Sequence, residues 1–162
     1  MSGAGLRERA LAAAARVPDP EIPVLTIGDL GVLRDVRVAG DIVEIDITPT
    51  YSGCPAMRVI EQDLAAALRA AGIEKFRIAT VLSPAWTTDW LSAEGRRKLA
   101  EYGIAPPAGS AARRALFGSD AVRCPRCGSA QTERLAEFGS TACKALYRCR
   151  ACAEPFDYFK CH

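Results

Sequence analysis

Two hydrophobic periods alternate along residues 1–104, and the switches between them mark out the elements. Leu6 to Arg16 is alanine-rich and strongly helix-forming, and it ends ahead of Pro18, whose ring disfavours helix in the residue before it. From Val32 to Val38, across Ala39-Gly40-Asp41, and on through Ile42 to Thr48, the residues become β-branched. Val43, Ile45 and Ile47 alternate there against Glu44 and Asp46, which predicts an antiparallel hairpin. Pro55 to Ala71 returns to helical spacing, with Ile60, Leu64, Leu68 and Ala71 on one stripe, Pro55 suited to the first helical position and Gly72 to the stop. Phe76 to Leu82 reads as a third strand. Ser92 to Tyr102 reads as a short helix closed by Gly103 ahead of Pro106-Pro107. The order α-β-β-α-β-α predicts a two-layer α/β domain over residues 1–104. Residues 105–115, rich in Ala, Pro, Gly and Ser, read as a linker into a cysteine-bearing module at 116–162.

Composition separates these two parts further. Six of the seven cysteines fall in the last 39 of the 162 residues, and only Cys54 lies outside them. Cys124-Pro125-Arg126-Cys127, with Gly128 next, is separated by 21 residues from Cys149-Arg150-Ala151-Cys152. Two C-x-x-C turns aim four sulfurs at one point, the tetrahedral donor set that suits Zn2+. A module this small cannot fold on apolar burial alone, so a metal is expected to supply much of its stability. A closed structural zinc ribbon accounts for these four residues more simply than a redox or iron centre. An odd cysteine number, C-x-x-C pairing and an N-terminus broken by Arg7, Glu8, Arg9 and Arg16 argue for a cytoplasmic protein rather than a secreted disulfide scaffold. No run approaches the ~18 apolar residues that span a bilayer. The net charge of +2 is uneven: residues 113–162 carry nine Lys/Arg against five Asp/Glu. Four thiolates around one divalent ion offset much of that excess. A dense basic stripe interleaved with aromatics is absent, so no nucleic-acid partner is expected.

The remaining candidates lie outside the two C-x-x-C turns. Cys54, in Thr48-Pro49-Thr50-Tyr51-Ser52-Gly53-Cys54-Pro55, follows a strand and directly precedes a helix, where amide donors and the helix dipole are expected to lower its pKa. It is either a ligand or nucleophile, or a cysteine packed at a turn. Asp19 and Glu21, in Asp19-Pro20-Glu21-Ile22-Pro23, offer oxygen ligands or form a turn. Trp86 and Trp90, in Ser83-Pro84-Ala85-Trp86-Thr87-Thr88-Asp89-Trp90, cover a core or anchor a partner. Cys143, Cys161 and His162, the single histidine, are further candidate ligands; Cys161-His162 closes an aromatic tail containing Phe156, Tyr158 and Phe159, placed beyond the ribbon. There is no phosphate-binding glycine loop and no Ser-His-Asp set, so hydrolytic catalysis is not expected.

The D-P-E-I-P segment, the hairpin, T-P-T-Y-S-G-C-P and the following helix resemble the SufT-type iron-sulfur assembly domain. With S-P-A-W-T-T-D-W, C-P-R-C-G, F-G-S-T-A-C-K, Y-R-C-R-A-C and E-P-F-D-Y-F-K-C-H added, residues 6 to 162 resemble the D-protein family of phenylacetate degradation. That family consists of accessory factors of phenylacetyl-CoA epoxidase. The resemblance implies a non-catalytic maturation factor for a system whose oxygenase holds a carboxylate-bridged di-iron centre and whose reductase carries a [2Fe-2S] cluster and flavin. It makes Cys54 the candidate for transient iron or iron-sulfur binding, with Asp19, Glu21, Thr48 and Thr50 lining the same pocket. A lone cysteine cannot satisfy a cluster that takes four thiolates. The resemblance therefore leaves room for a homodimer sharing two Cys54 residues, or for Cys143 and Cys161 folding over the pocket. The rival readings are an adapter that tethers oxygenase components without handling metal, and a thiol-redox enzyme.

Overall fold

Residues 2–107, 110, 116 and 121–160 are described by the computed structural model. The alternation along Ile42–Ile47 governs its first part. This segment is the middle strand of a three-stranded sheet formed by β1 (Leu33–Ala39), β2 (Ile42–Ile47) and β3 (Phe76–Thr80) in the order β1-β2-β3. β1 runs antiparallel to β2 in the expected hairpin, while β3 runs parallel to it. A parallel neighbour requires a crossover, and α3 (Ala56–Ala70) supplies it.

One face of the sheet is apolar and the other is charged, because side chains on a strand alternate. Val43, Ile45 and Ile47 are fully buried, together with Val36 of β1. Against them lie α1 (Gly3–Ala14), through Ala10 and Ala14, and the stripe Ala56, Ile60, Leu64 and Leu68 of α3. On the opposite side Arg37 reaches Asp46 at 2.5 Å, Asp35 at 3.0 Å and Glu44 at 3.7 Å, and Arg77 reaches Glu44 at 3.4 Å. Such half-exposed pairs add little stability individually, but they keep this face in water and limit the unit to two layers.

A short helix unread in the sequence, α2 (Ile27–Leu30), lies between α1 and β1. Thr26 and Asp29 form a reciprocal capping box, and Gly31 ends the helix at a φ of 75° that a side chain would resist. Pro55 is the N-cap of α3 rather than its first helical residue.

The chain divides into two compact units, Met1–Trp86 and Thr87–His162. This departs from the expected division at residue 104. Ser92 caps α4 (Ala93–Tyr102) by accepting from the Gly95 N–H, and Gly103 turns the chain into β4 (Ile104–Ala105). β4 then pairs with β7 (Pro155–Phe159), so α4 and β4 belong with the cysteine-bearing half. The second sheet has the order β4-β7-β6-β5, with β5 (Thr132–Ala136) and β6 (Lys144–Cys149) completing it. The expected aromatic tail is therefore an interior strand. Phe156 and Tyr158 of β7 pack with Ala105, Val122 and Ala145, and Tyr147 lies against both rings at 5.9 and 5.4 Å. Most of the expected linker, and Cys161 and His162, lie outside the described residues.

Leu64 has no solvent exposure at the centre of the first unit's apolar layer. Leu64→Ala is expected to destabilise that unit by about 2–5 kcal/mol, read as a lowered urea midpoint with an unchanged slope.

Candidate metal centre and the Cys54 loop

Each C-x-x-C in the second unit closes a tight turn. After Cys124, the Gly128 N–H donates to the Cys124 carbonyl at 2.9 Å and the Cys124 N–H to the Ser129 carbonyl at 2.9 Å; Gly128 adopts a φ of 76°. After Cys149, the Cys149 N–H donates to the Glu154 carbonyl at 2.9 Å, and Ala153 takes a left-handed φ of 64°. A non-glycine residue held there is strained, and the turn it permits directs the Cys152 N–H at the Cys149 sulfur, 3.5 Å away.

The four sulfurs of Cys124, Cys127, Cys149 and Cys152 lie within 4.8 Å of one another. Cys127 Sγ is 3.5 Å from Cys149 Sγ, and Cys124 Sγ is 3.8 Å from Cys152 Sγ. With Zn–S bonds of about 2.3 Å, a regular tetrahedron has sulfur–sulfur edges of about 3.8 Å, so the donor set fits a zinc ion. The thiols also share protons unequally. The backbone N–H of Cys152 holds the Cys149 thiol down to about 7 in spite of its burial. Cys152 is pushed up to about 12: the Glu154 N–H draws it down, but desolvation and the three neighbouring sulfurs outweigh that. A divalent ion at the centre would displace the protons that remain. Beside Cys149, Arg148 and Arg150 both clasp Glu133, hold its carboxyl below the usual range and tie β5 to β6 at the metal end of the sheet.

Cys143 stands apart from this set. It is buried, its sulfur lies 2.9 Å from the Thr141 hydroxyl, and its carbonyl accepts from the Lys160 N–H.

In the first unit the chain leaves β2 through Thr48, whose N–H donates to the Val32 carbonyl. It turns at Gly53, with φ 74°, and enters α3 just after Cys54. Cys54 is half-buried; burial and the Glu21 carboxylate push its thiol up, and the Ala56 N–H and the Tyr51 and Thr50 side chains draw it down. Of the residues named from the sequence, Thr50 and Glu21 both influence the Cys54 thiol. Tyr51 joins them without having been singled out from the sequence, although its place in T-Y-S-G-C was a usable signal. Asp19 is nearly buried, and its Oδ1 accepts from the Glu21 and Ile22 N–H groups at 2.9 and 2.8 Å, shaping the loop that carries Glu21. Thr48 is 1% exposed and its hydroxyl has no hydrogen-bonding partner among the described residues. An unsatisfied buried hydroxyl costs about 1–3 kcal/mol, which a bound group or water would offset.

Two expectations are corrected here. The Cys54 pKa is raised, not lowered: burial is the largest influence, the Glu21 charge adds to it, and the Ala56 N–H and the two side-chain bonds only oppose them. Trp86 is not an exposed docking anchor. It is 4% exposed, and its indole N–H donates to the Leu30 carbonyl at 2.8 Å, pinning the segment after β3 to the end of α2. Trp90 is half-buried. Among the described residues Cys54 joins no group of three or more metal-type ligands.

An iron-sulfur cluster assembly protein model matches residues 7–81, and a PaaD zinc beta ribbon domain model matches residues 108–160. Fold and site together define a two-part protein, an assembly-type α/β unit followed by a four-cysteine zinc ribbon. The chain belongs to the PaaD family, the D components of phenylacetyl-CoA epoxidase. It is 52% identical over 147 residues to the putative D component of 1,2-phenylacetyl-CoA epoxidase from Escherichia coli (strain K12), covering 91% of this chain and 88% of that one. Among solved structures it is similar to a DUF59 domain of unknown function from Bacillus anthracis, with 25% identity, a TM-score of 0.56 and coverage of 61% of this chain and 95% of that one. A conserved hypothetical protein from Thermotoga maritima is similar at 28% identity and a TM-score of 0.51, covering 61% of this chain and 98% of that one. No helix among the described residues is long and apolar enough to cross a membrane.

Removing metal with a strong chelator is expected to collapse the tyrosine near-ultraviolet signal of the second unit while leaving the helical signal of the first. A structural four-thiolate zinc contributes on the order of 10 kcal/mol to folding. Cys54 is expected to alkylate more slowly at neutral pH than a free thiol, and to accelerate only as pH rises past the ordinary thiol range. A pH profile of iodoacetamide labelling at that residue reads this directly, and a midpoint below the ordinary thiol value would contradict it.

Proposed function

We propose that this chain is an accessory factor, not a catalyst, of a phenylacetyl-CoA-epoxidase-type oxygenase system. Its first unit receives iron or an iron-sulfur cluster as cargo at the Cys54 loop, and its ribbon holds one Zn2+ on Cys124, Cys127, Cys149 and Cys152 as a structural ion. The observation that carries the reading is the grouping of Cys54 with Thr50, Tyr51 and Glu21 at a strand-to-helix turn of an assembly-type fold. The buried Thr48 hydroxyl, left without a partner among the described residues, supports it.

The chemistry of the loop suits transfer better than storage. A thiol protonated at neutral pH gives up its proton only as metal arrives, and a single sulfur holds cargo loosely enough to release it. A cluster requires further thiolates, which two copies meeting through Cys54, or an external thiol, would supply. The recipients are the di-iron oxygenase subunits or the iron-sulfur flavin reductase, in a cytoplasm where thiols stay reduced. A second reading, an adapter that tethers oxygenase components without touching metal, is favoured by the same raised Cys54 pKa, since a protonated thiol is a poor ligand.

Producing the epoxidase with this chain, with its Cys54→Ser variant and without either, and measuring iron content and turnover, separates these readings. Metal content and activity are expected to fall together when the chain is absent and to stay low with Cys54→Ser. Full metal and full activity without the chain would end the maturation reading. Normal maturation with Cys54→Ser, but loss of the component complex when the ribbon is disrupted, would establish the adapter.

A further inference from the structure

The four cysteines divide evenly by exposure. Cys127 and Cys152, the second cysteine of each C-x-x-C turn, are exposed, whereas Cys124 and Cys149, the first of each, are buried. The pairing across the site follows this division. Exposed Cys127 has buried Cys149 at 3.5 Å, and exposed Cys152 has buried Cys124 at 3.8 Å. Each accessible sulfur thus has a shielded sulfur from the opposite turn as a near neighbour. The flanking side chains leave the approach open: Arg126, beside Cys127, is 62% exposed and only loosely paired with Glu154 at 3.9 Å. Arg150 is 66% exposed, with its guanidinium turned to Glu133.

We propose that Cys127 and Cys152 are sites of oxidative modification by small hydroperoxides, with Cys149 and Cys124 as their resolving partners. The inference rests on zinc at this donor set and does not depend on the role of Cys54. The exposed thiolate sulfur attacks one peroxide oxygen, so that an S–O bond forms, the O–O bond breaks and the departing hydroxide takes a proton to become water. The buried thiolate of the opposite turn then attacks the sulfenic sulfur. An S–S bond forms, the S–O bond breaks and a second water leaves. Two thiolates, one hydroperoxide and two protons give one disulfide and two waters when the peroxide is hydrogen peroxide; both sulfurs are oxidised and both oxygens reduced. Each disulfide removes two of the four donors, and Zn2+ passes to solvent.

The shorter contacts across the site favour one connectivity. Resolution across the site yields Cys127–Cys149 and Cys124–Cys152, not the bonds within each turn that a thiol-redox enzyme of C-x-x-C type would form. Zinc-loaded full-length protein, its zinc content measured beforehand, is treated with hydrogen peroxide. Release is followed with a chromogenic chelator, and disulfides are mapped by proteolysis without reduction, which separates the ribbon sulfurs from Cys54, Cys143 and Cys161. The expected result is loss of the bound zinc together with the two crossed disulfides, reversed by dithiothreitol and added zinc. Protein isolated without zinc would overturn the proposal. So would zinc retained while a small free thiol in the same tube is fully oxidised, Cys124–Cys127 and Cys149–Cys152 bonds, or sulfinic and sulfonic products without disulfide.

Discussion

The alternation of side chains along β2 is the constraint from which the first unit follows. Because this strand lies between two others, burial of Val43, Ile45 and Ile47 determines which face α1 and α3 must cover, while Glu44 and Asp46 commit the reverse face to water. A slip of one residue would exchange the two sets and place carboxylates under the helices. The same register decides where the chain leaves the sheet. Thr48 follows Ile47 directly, and the turn that carries Cys54 begins there, so apolar packing of the strand sets where the candidate cargo loop starts.

The second unit is organised differently. Its apolar cluster is small, and two of its members, Cys124 and Cys149, are also sulfur donors. Core and metal site therefore share residues, and neither is complete without the other. Around them, backbone hydrogen bonds aim the sulfurs inward, and Glu133 between Arg148 and Arg150 joins neighbouring strands at the same end. Hydrophobic burial holds the first unit together; in the ribbon, thiolate coordination would take over much of that task.

What could be read from the sequence depended on the distance over which each signal acts. The hairpin, α3, α4 and the C-x-x-C turns are written in local spacing, and all are present. α2 is too short for periodicity to reveal, although Thr26 and Asp29 carried its cap, and a two-residue strand such as β4 has no pattern at all. Phe156 and Tyr158 do alternate, yet they follow the last C-x-x-C and resemble a tail until their partners on β6 are known. The bond from Trp86 to Leu30 spans 56 positions, and the acidity of Cys54 is set first by burial and further by Glu21, 33 positions away; no local pattern contains either. Asp19, Glu21, Thr50 and Cys54 were legible as residues, but the sign of their effect on one another was not.

The pairing of β4 with β7 bears on how this protein is assembled from parts. The ribbon motif begins at residue 108, yet the sheet it builds is finished by Ile104 and Ala105 from upstream. A ribbon cut at the motif boundary and grafted elsewhere would leave the outer edge of β7 with unpaired backbone groups, beside the buried Phe156, Tyr158 and Phe159. The ribbon is therefore not a portable cassette: its natural seam lies upstream of α4, and inheritance of the four cysteines alone would transmit the metal-binding chemistry without the strand that closes its sheet.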